Sequence, residues 1–346
     1  VEYEDEDLAT DAEDAAAQDI ELAGDSIIFA GSSATVAGST ITITAAGTYR
    51  ISGVLDDGQI IVDTADAEKV SLILDGADIT SLTSAPIYVA SAEKVVITLA
   101  SGSENTVTDG TQYVYPDAET TEPDAAIFSH DDLTINGEGS LTVNANYNNG
   151  IVSKDDLKIT GGNITVEAVN DGVKGRDSVA VKDGVLTIVA GGDGLQANND
   201  EDAEQGYIVV EGGTVNITAA VDGIQAVTAL NFTGGSVTVD AGDDALNAVG
   251  SITIDGGALT LAADDDGIHA DTSITINGGD VRVTKSYEGI ESDQITINAG
   301  EVRVVASDDG INAVPVTASA GGMGGGTSQL TINGGYVAVD AQGDGL

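Results

Sequence analysis

The sequence predicts an all-β fold, a parallel β-helix with coils of about 22 residues and three short strands per coil. The first observation is a repeated tripeptide, an acidic or amide residue followed by glycine and an apolar residue. It is centred on Gly150, Gly172, Gly194, Gly223, Ala245, Gly267, Gly289, Gly310 and Gly345, in steps of 22, 22, 29, 22, 22, 22, 21 and 35 residues. The second observation is that apolar and polar residues alternate between the tripeptides, as in "SITIDGGALTLAADDDGIHA" (251–270), with Gly and Asp at the breaks. That alternation indicates short strands joined by turns.

Two other repeat architectures fit this period less well. A propeller blade needs about 40 residues and four antiparallel strands. The nine-residue calcium-binding β-roll repeat requires an aspartate at a position where "GGDGLQANN" (191–199) has none. In a parallel β-helix, each coil lays its strands about 4.8 Å from those of the previous coil, so equivalent residues form columns.

The repeat becomes regular only in the second part of the chain. Residues 1–18 are acidic and alanine-rich, and we expect a tether or a short cap there. Residues 19–112 predict irregular coils, in which "AEKVSLIL" (67–74) and "AEKVVITL" (92–99) lie 25 residues apart. A polar loop is expected at 113–124. Regular coils are expected over 125–346, with insertions at 198–206 and 315–329 that account for the two long steps.

Composition excludes several functions. The formal net charge of −47 excludes nucleic acid as a partner, because phosphate binding needs a basic surface. No apolar run approaches the roughly 18 residues of a membrane span. The absence of cysteine removes thiol catalysis and thiolate metal sites. The chain begins at Val1, as a mature form without its export signal would, so secretion is compatible with the sequence.

The residue after each apolar tripeptide residue is expected to point outward. Val152 occupies this position in one coil. In the coils that follow, the position forms a polar column of Lys174, Gln196, Gln225, Asn247, His269, Glu291 and Asn312. Side chains of this kind, about 4.8 Å apart on a flat face, suit hydrogen bonding to an extended polysaccharide. The alternative is that an outer face must be polar in any soluble protein.

A second column is acidic and contains the candidate metal ligands Asp171 and Asp193. Two carboxylates about 4.8 Å apart repel each other by roughly 3.5 kcal/mol at an effective dielectric constant of 20. Each aspartate can accept hydrogen bonds from the amides of its own turn. Alternatively, divalent cations bridge the coils, since calcium takes six to eight oxygen ligands.

A sharper cation candidate lies in the next turn, where "SHDD" (129–132), "SKDD" (153–156), "GRDS" (175–178) and "ANND" (197–200) stack. We expect a calcium site formed by Asp131, Asp155, Asp156 and Asp177, continued by Asp200 and Asp202 in the first insertion. Later coils have Thr228, Gly250 and Thr272 instead, so the acidic residues are concentrated over four coils.

Evidence for catalysis is weaker. Lys154, Lys174 and Arg176 lie beside the acidic turns and are the only candidates for a base in β-elimination of uronates. Basic residues next to aspartates more often compensate charge. His130 and His269 lie too many coils apart to act together. The sequence therefore does not establish an enzyme, and favours a binding protein.

Several long strings resemble one family: "GQIIVDTADAEKVSLILDGADITSLTSAPIYV" (58–89), "EPDAAIFSHDDLTINGEGSLTVNANYNNGIVSKDDLKI" (122–159) and "GGDGLQANNDEDAEQGYI" (191–208). They are similar to the secreted bacterial carbohydrate-binding β-helix family, once known as a domain of unknown function and related in fold to family 9 pectate lyases. The resemblance implies a right-handed, single-stranded parallel β-helix that binds calcium and is exported or attached to the cell surface. It also implies cellulose-like or polygalacturonate ligands, with calcium at Asp131, Asp155, Asp156 and Asp177.

Three function classes remain open from the sequence. The first is an extracellular calcium-binding protein that binds a polysaccharide. The second is a calcium-dependent pectate lyase. The third is a fibre subunit. The sequence stops inside a coil at "AQGDGL" (341–346), which indicates either a truncation or an uncapped β-helix end whose unpaired strand edges allow end-to-end association.

Overall fold

A computed structural model describes residues 1–9, 16–314 and 328–346. Residues 10–15 of the expected N-terminal tether and 315–327 of the expected second insertion lie outside the described residues. The chain divides into two compact units, Val1–Ile188 and Val189–Leu346, with the division inside one strand. Within the described residues no helix is long and apolar enough to cross a membrane.

The first unit consists of strands and turns. Its strands are β1 (Gln18–Gly24), β2 (Ile27–Phe29), β3 (Ala34–Ala37), β4 (Thr40–Ile43), β5 (Gly47–Leu55), β6 (Gln59–Asp63), β7 (Val70–Ser81), β8 (Ile87–Ser91), β9 (Lys94–Leu99), β10 (Glu104–Asp109), β11 (Ala125–Ser129), β12 (Asp132–Gly137), β13 (Ser140–Ala145), β14 (Asn149–Ser153), β15 (Asp156–Ile159), β16 (Asn163–Ala168), β17 (Val173–Gly175) and β18 (Ser178–Val181). Strand β19 (Val185–Ala190) contains the division between the units.

The second unit continues with short strands of similar lengths. They are β20 (Leu195–Ala197), β21 (Tyr207–Val210), β22 (Thr214–Ala219), β23 (Ile224–Ala226), β24 (Ala229–Phe232), β25 (Ser236–Ala241), β26 (Leu246–Ala248), β27 (Ser251–Ile254), β28 (Ala258–Ala263), β29 (Ile268–Ile276), β30 (Asp280–Lys285), β31 (Ile290–Ile297), β32 (Glu301–Ala306), β33 (Ile311–Ala313), β34 (Gln329–Ile332) and β35 (Tyr336–Ala341).

Each regular coil supplies three strands that pair in parallel with the equivalent strands of the next coil. In the second unit β23, β24 and β25 pair with β26, β27 and β28, so that Ile224 lies beside Leu246 and Leu230 beside Ile252. In each of the next two coils the first and second strands are continuous, and they form the single strands β29 and β31. The predicted all-β fold, a parallel β-helix with three strands per coil, is confirmed.

The irregular N-terminal repeats have a structural cause. Strands β1 and β2 pair antiparallel, as do β3 and β4, while β1 already pairs in parallel with β5. Parallel stacking therefore begins together with two hairpins, whose spacing differs from that of a regular coil. The core is aliphatic, as the composition requires: Ile224, Leu246, Ile268 and Ile290 stack as one completely buried column.

The glycine of the tripeptide is required by close packing. A Cβ at Gly223 would lie 2.1 Å from Val239 Cγ1 and 2.6 Å from the carbonyl oxygen of Ala245 in the next coil. A Cβ at Gly267 would meet Val283 and Gly289 in the same way, at 2.5 and 2.6 Å. Ala245, which is completely buried, is the exception among these tripeptides.

The exception coincides with a change in the facing core residue. Leu261 stands in register between Val239 and Val283, at the position that faces the tripeptide of its own coil. Leucine branches one carbon farther from the backbone than valine, which leaves room beside its Cβ for one methyl group. The repeat thus combines glycine with a β-branched residue, and alanine with leucine.

Candidate functional site

The predicted polar column exists as a column in the structure. In the second unit Gln196 pairs in register with Gln225, which pairs with Asn247, and the same register continues through His269, Glu291 and Asn312. All six residues are partly buried. In the first unit Lys174 pairs with Val152. The stacking expected from sequence is therefore correct, although binding of a ligand to this surface stays a prediction.

Most of these side chains already bond to the acidic column. The Asn247 amide donates to Asp222 Oδ2 at 2.8 Å, and that of Gln196 donates to Asp193. Lys174 Nζ lies 3.2 Å from Asp171 Oδ2. Gln225 Oε1 is buried and has no hydrogen-bond partner within the described residues. Within each unit the two columns therefore form a hydrogen-bonded surface, in which the acidic residues orient the amide and basic groups.

The acidic column is a ladder that joins successive coils. Asp193 Oδ1 accepts the backbone N–H of Asp222 at 3.0 Å, Asp222 Oδ1 accepts that of Asp244 at 3.0 Å, and Asp244 Oδ1 accepts that of Asp266 at 2.9 Å. Each carboxylate thus accepts a hydrogen bond from a backbone amide of the next coil. The sequence had suggested the amides of its own turn instead. This hydrogen bonding gives each buried carboxylate a structural role.

Stacking nearly buried carboxylates has an electrostatic cost. Burial raises the pKa of the Asp222 carboxyl to about 6 and that of Asp244 to about 7. Oxygens of Asp243, Asp244 and Asp265 lie within 4.8 Å of one another, close enough to share a metal ion. The sequence reasoning missed Asp243 and Asp265, although runs of consecutive acids in "AGDDAL" and "ADDDGI" were visible.

His269 lies among three carboxylates. Its Nδ1 is 2.8 Å from Asp266 Oδ2 and 4.0 Å from Glu291 Oε1, while its Nε2 is 3.3 Å from Asp271 Oδ1. The hydrogen bond with Asp266 raises the pKa of His269 to about 9, and burial raises that of Glu291 to about 8. At neutral pH this group is an ion-paired imidazolium, and a metal ion would have to displace its proton.

The predicted calcium residues lie in two adjacent columns of the first unit. By register Asp131, Asp155 and Asp177 form one column, and Asp156 stands in the other beside Asp132, which the sequence reasoning missed. Asp131 Oδ2 accepts the Ala92 amide at 2.9 Å.

The carboxylates of these columns interact in pairs. Partial burial, the Asp132 charge and contact with Asp177 raise the pKa of Asp155 to about 6. Burial and the charge of Asp156 raise the pKa of Asp132. Asp132 Oδ1 also accepts the Asp156 amide at 3.2 Å. The columns therefore bring Asp155 against Asp177 and Asp132 against Asp156, and calcium binding by these pairs stays a prediction.

The remaining predicted residues are distributed differently. Asp200 and Asp202 are exposed in the second unit, where Asp202 Oδ1 accepts the Glu204 amide at 2.9 Å. Lys154 Nζ contacts Glu122 Oε1 at 2.5 Å, and Arg176 lies 3.5 Å from Asp177. The three basic candidates, including Lys174, therefore contact carboxylates, as charge compensation requires.

Comparison with known proteins assigns the family. The family model described as "Carbohydrate-binding domain-containing protein" matches residues 37–289. The chain belongs to this carbohydrate-binding domain family.

Two relatives agree with this family assignment. A carbohydrate-binding domain-containing protein of Acetivibrio thermocellus is 55% identical over 126 residues, which are 36% of this chain and 44% of that protein, so the match spans under half of the relative. The polysaccharide lyase-like protein from C. thermocellum, solved as a gadolinium derivative, is 42% identical to this chain. It aligns with a TM-score of 0.68 over 69% of this chain and 96% of its own.

The carbohydrate-binding domain also contains an aromatic cluster that the sequence reasoning missed. The outward column that carries Lys174 becomes apolar toward the N-terminus, through Val152, Phe128 and Tyr88. The loop at 113–124 lies close to this column, with Tyr113 packed against it and Phe128 completely buried. Tyr113 stacks on Tyr147 with ring centroids 4.1 Å apart.

Proposed function

We propose that this member of the carbohydrate-binding domain family binds an extended polysaccharide, cellulose-like or polygalacturonate, outside the bacterial cell and with the help of calcium. The observation that carries the proposal is the polar column of the second unit, in which Gln225, Asn247 and His269 repeat in strict register. A polymer with hydroxyl groups at regular intervals is the ligand that such a surface suits.

The column supplies hydrogen-bonding groups on a rigid support. Each polar side chain stands on a strand that is paired in parallel on both sides, which fixes its position before binding. Gln225 Oε1 has no partner among the described residues, and a rotation of this partly exposed side chain would let it accept a hydrogen bond from a sugar hydroxyl. Asn247 is already oriented by Asp222, so little side-chain entropy is lost on binding.

Calcium has a role that follows from the charge. With a formal net charge of −47, the protein repels a polyuronate unless cations intervene. The pairs Asp155 with Asp177 and Asp132 with Asp156 offer carboxylate oxygens whose mutual repulsion a divalent ion would remove. The related C. thermocellum structure is a gadolinium derivative, and lanthanide ions prefer the same hard oxygen ligands, which supports cation binding.

The binding test compares two matched double variants. Gln225→Ala/Asn247→Ala removes two neighbouring rungs of the polar column, and Thr238→Ala/Thr260→Ala removes two neighbouring exposed rungs of β25 and β28. Affinity for cello-oligosaccharides and oligogalacturonates is measured by calorimetry, with calcium and with a chelator. We expect at least a tenfold loss, on the order of 1.4 kcal/mol, for the first variant and none for the control. Equal binding by both variants would refute the proposed face.

Lyase activity is the alternative that the polysaccharide lyase-like relative suggests. Lys154 and Lys174 lie on the same unit as the paired carboxylates, so a base near bound calcium is available to this chemistry. Incubation with polygalacturonate and calcium distinguishes the alternatives, since elimination creates unsaturated uronate ends that absorb ultraviolet light. End-to-end association into fibres stays a prediction, which electron microscopy of the purified protein with and without calcium would test.

A further inference from the structure

Residues 1–9 lie across an outer face of the first unit, and the contacts are electrostatic. The face is formed by β9, β12, β15 and β18 and carries Lys94 and Lys158, with Lys182 directly after β18, its Nζ 4.2 Å from the centre of the Tyr3 ring. With Lys69, which lies 3.4 Å from Glu6, these are four of only eleven Lys and Arg residues in the chain. We call this face, with Thr134, Asn136 and Thr160, the lysine strip.

Asp7 is the centre of the contact. Its side chain is completely buried, with Oδ1 2.7 Å from Lys94 Nζ and Oδ2 3.4 Å from Lys158 Nζ. The Thr134 hydroxyl donates to Oδ1 at 2.6 Å. Although burial opposes ionisation, the bonds from Lys94 and Thr134 hold the pKa of Asp7 below its usual range. A carboxylate therefore sits between two ammonium groups and a hydroxyl, in a pocket built from strand residues.

The strip also binds the backbone around that carboxylate. Asn136 Nδ2 donates to the carbonyl oxygen of Glu6 at 2.9 Å, and the Thr160 hydroxyl donates to that of Asp7. Asn136 is 1% exposed, yet its Oδ1 has no hydrogen-bond partner within the described residues. Residues 1–9 supply no donor to this Asn136 oxygen. A sugar hydroxyl would be a suitable donor for it.

The peptide does not fill the space over the strip. A cavity of about 380 Å³ is bounded by the two ammonium groups of Lys69 and Lys94 and by carboxylates of the segment (Glu4, Glu6) and of the strands and turns beneath it (Glu68, Glu93, Asp132). Glu4 is mostly exposed while it pairs with Lys94, and Asp5 is exposed. The Glu6–Lys69 ion pair joins two partly exposed side chains, and such pairs contribute little to stability, so this outer contact holds the segment less firmly than Asp7 does.

We propose that the lysine strip is a binding site for the carboxylate and hydroxyl groups of a uronate polysaccharide, and that residues 1–9 occupy it as a displaceable substitute. The inference rests on the proposed function for the ligand class, and adds a second site with its own regulation. Asp7 takes the place of a uronate carboxylate, and the Glu6 and Asp7 carbonyls take the places of sugar oxygens bound by Asn136 and Thr160. The strip binds the uronate directly through ammonium groups, unlike the acidic columns, which need a cation between them and the ligand.

The variant test uses Asp7→Asn, with Asp5→Asn as the matched control from the same segment. Loss of the Asp7 charge weakens the segment's hold on the lysine strip. With a chelator present, we therefore expect trigalacturonate to bind the Asp7→Asn variant at least tenfold more tightly than it binds the wild-type protein. Asp5→Asn should change nothing, because that side chain is exposed. Adding Lys94→Gln and Lys158→Gln to Asp7→Asn should abolish the gain. An unchanged affinity in Asp7→Asn would overturn the inference.

A second measurement uses the wild-type chain, and so does not depend on the folding of a variant. Hydrogen exchange of residues 1–9 is followed as trigalacturonate is added. We expect the amides of residues 1–9 to lose protection at saturation while those of β12 and β15 keep theirs. Unchanged protection of residues 1–9 at saturation would show that the ligand binds elsewhere. Neutral cello-oligosaccharides should have no effect.

The results separate the two proposals. If Gln225→Ala/Asn247→Ala abolishes polysaccharide binding and Asp7→Asn has no effect, the polar column is the binding site and the lysine strip is structural. If Asp7→Asn increases uronate binding while the double variant binds normally, the strip is a site and the polar column is not.

Discussion

Replacing Gly267 by alanine tests why the tripeptide contains glycine. The added Cβ would lie 2.5 Å from Val283 Cγ1 and 2.6 Å from the Gly289 carbonyl oxygen, both well inside van der Waals contact. Overpacking of this kind costs about 1–3 kcal/mol. We therefore expect Gly267→Ala to lower the free energy of unfolding by about 2 kcal/mol. Urea denaturation followed by circular dichroism measures the loss.

Ala245 with Leu261 supplies the compensating change. The double variant Gly267→Ala/Val283→Leu copies that pair one coil later, so we expect it to recover at least half of the loss. Recovery is incomplete, because the contact with the Gly289 carbonyl belongs to the backbone. Val283→Leu alone is the control and should cost under about 1.5 kcal/mol. If Gly267→Ala is as stable as wild type, or if leucine at 283 fails to restore it, the packing explanation is refuted.

Two further predictions concern the acidic columns. Burial raises the pKa of Asp244 to about 7, so the folded state binds a proton more tightly than the unfolded state, and this stabilising contribution is lost as the pH rises through 7. Protonation of His269 also stabilises the folded state, and because its pKa is raised to about 9, this contribution is lost at higher pH. The melting temperature should fall from pH 5 to pH 9 without calcium, and Asp244→Asn should flatten the curve between pH 5 and 7. A rising curve would contradict this reasoning. Asp155→Asn should weaken terbium luminescence and calcium-induced stabilisation at least threefold, while exposed Asp183→Asn should leave both unchanged; equal effects would argue against the predicted calcium site.

The fold could be predicted because every coil repeats the same physical requirement. Alternation at period two places Ile224 and Leu246 inside and Gln225 and Asn247 outside, and stacking then fixes which residues are neighbours. One correct register therefore gave the whole polar column. The N-terminal hairpin of β1 and β2 follows a different pairing, and the repeat contained no signal for it.

The candidate sites were predicted less completely, because side-chain direction depends on detail beyond register. Asp131 stands in the predicted column with Asp155, and its carboxylate accepts the Ala92 amide, whereas Asp132, which lies beside Asp156, was not predicted as a ligand. The contact of Asp7 with Lys158 joins residues 151 positions apart, and no periodicity relates an acidic terminal segment to a strand. Lys94 and Lys158 at outward strand positions were the signal that could have suggested a basic strip in so acidic a chain.

The ladder architecture makes protons and calcium competitors, and this gives the last prediction. Each aspartate of the ladder must keep an oxygen on the next coil's amide, so the carboxylates cannot move apart to relieve repulsion. Protons at Asp222 and Asp244 supply the relief near pH 6 to 7, and at Asp155 near pH 6. A calcium ion that binds the same oxygens must displace these protons. At pH 6.5 we expect calcium bound by Asp222 and Asp244 to release more protons per ion than calcium bound beside Asp155, whose carboxyl is then mostly ionised. Calorimetry in two buffers of different ionisation enthalpy measures this release. At pH 8 the release should fall toward zero, because Asp222 and Asp155 are then already ionised. Binding without proton release at pH 6.5 would mean that calcium is bound away from Asp222 and Asp244.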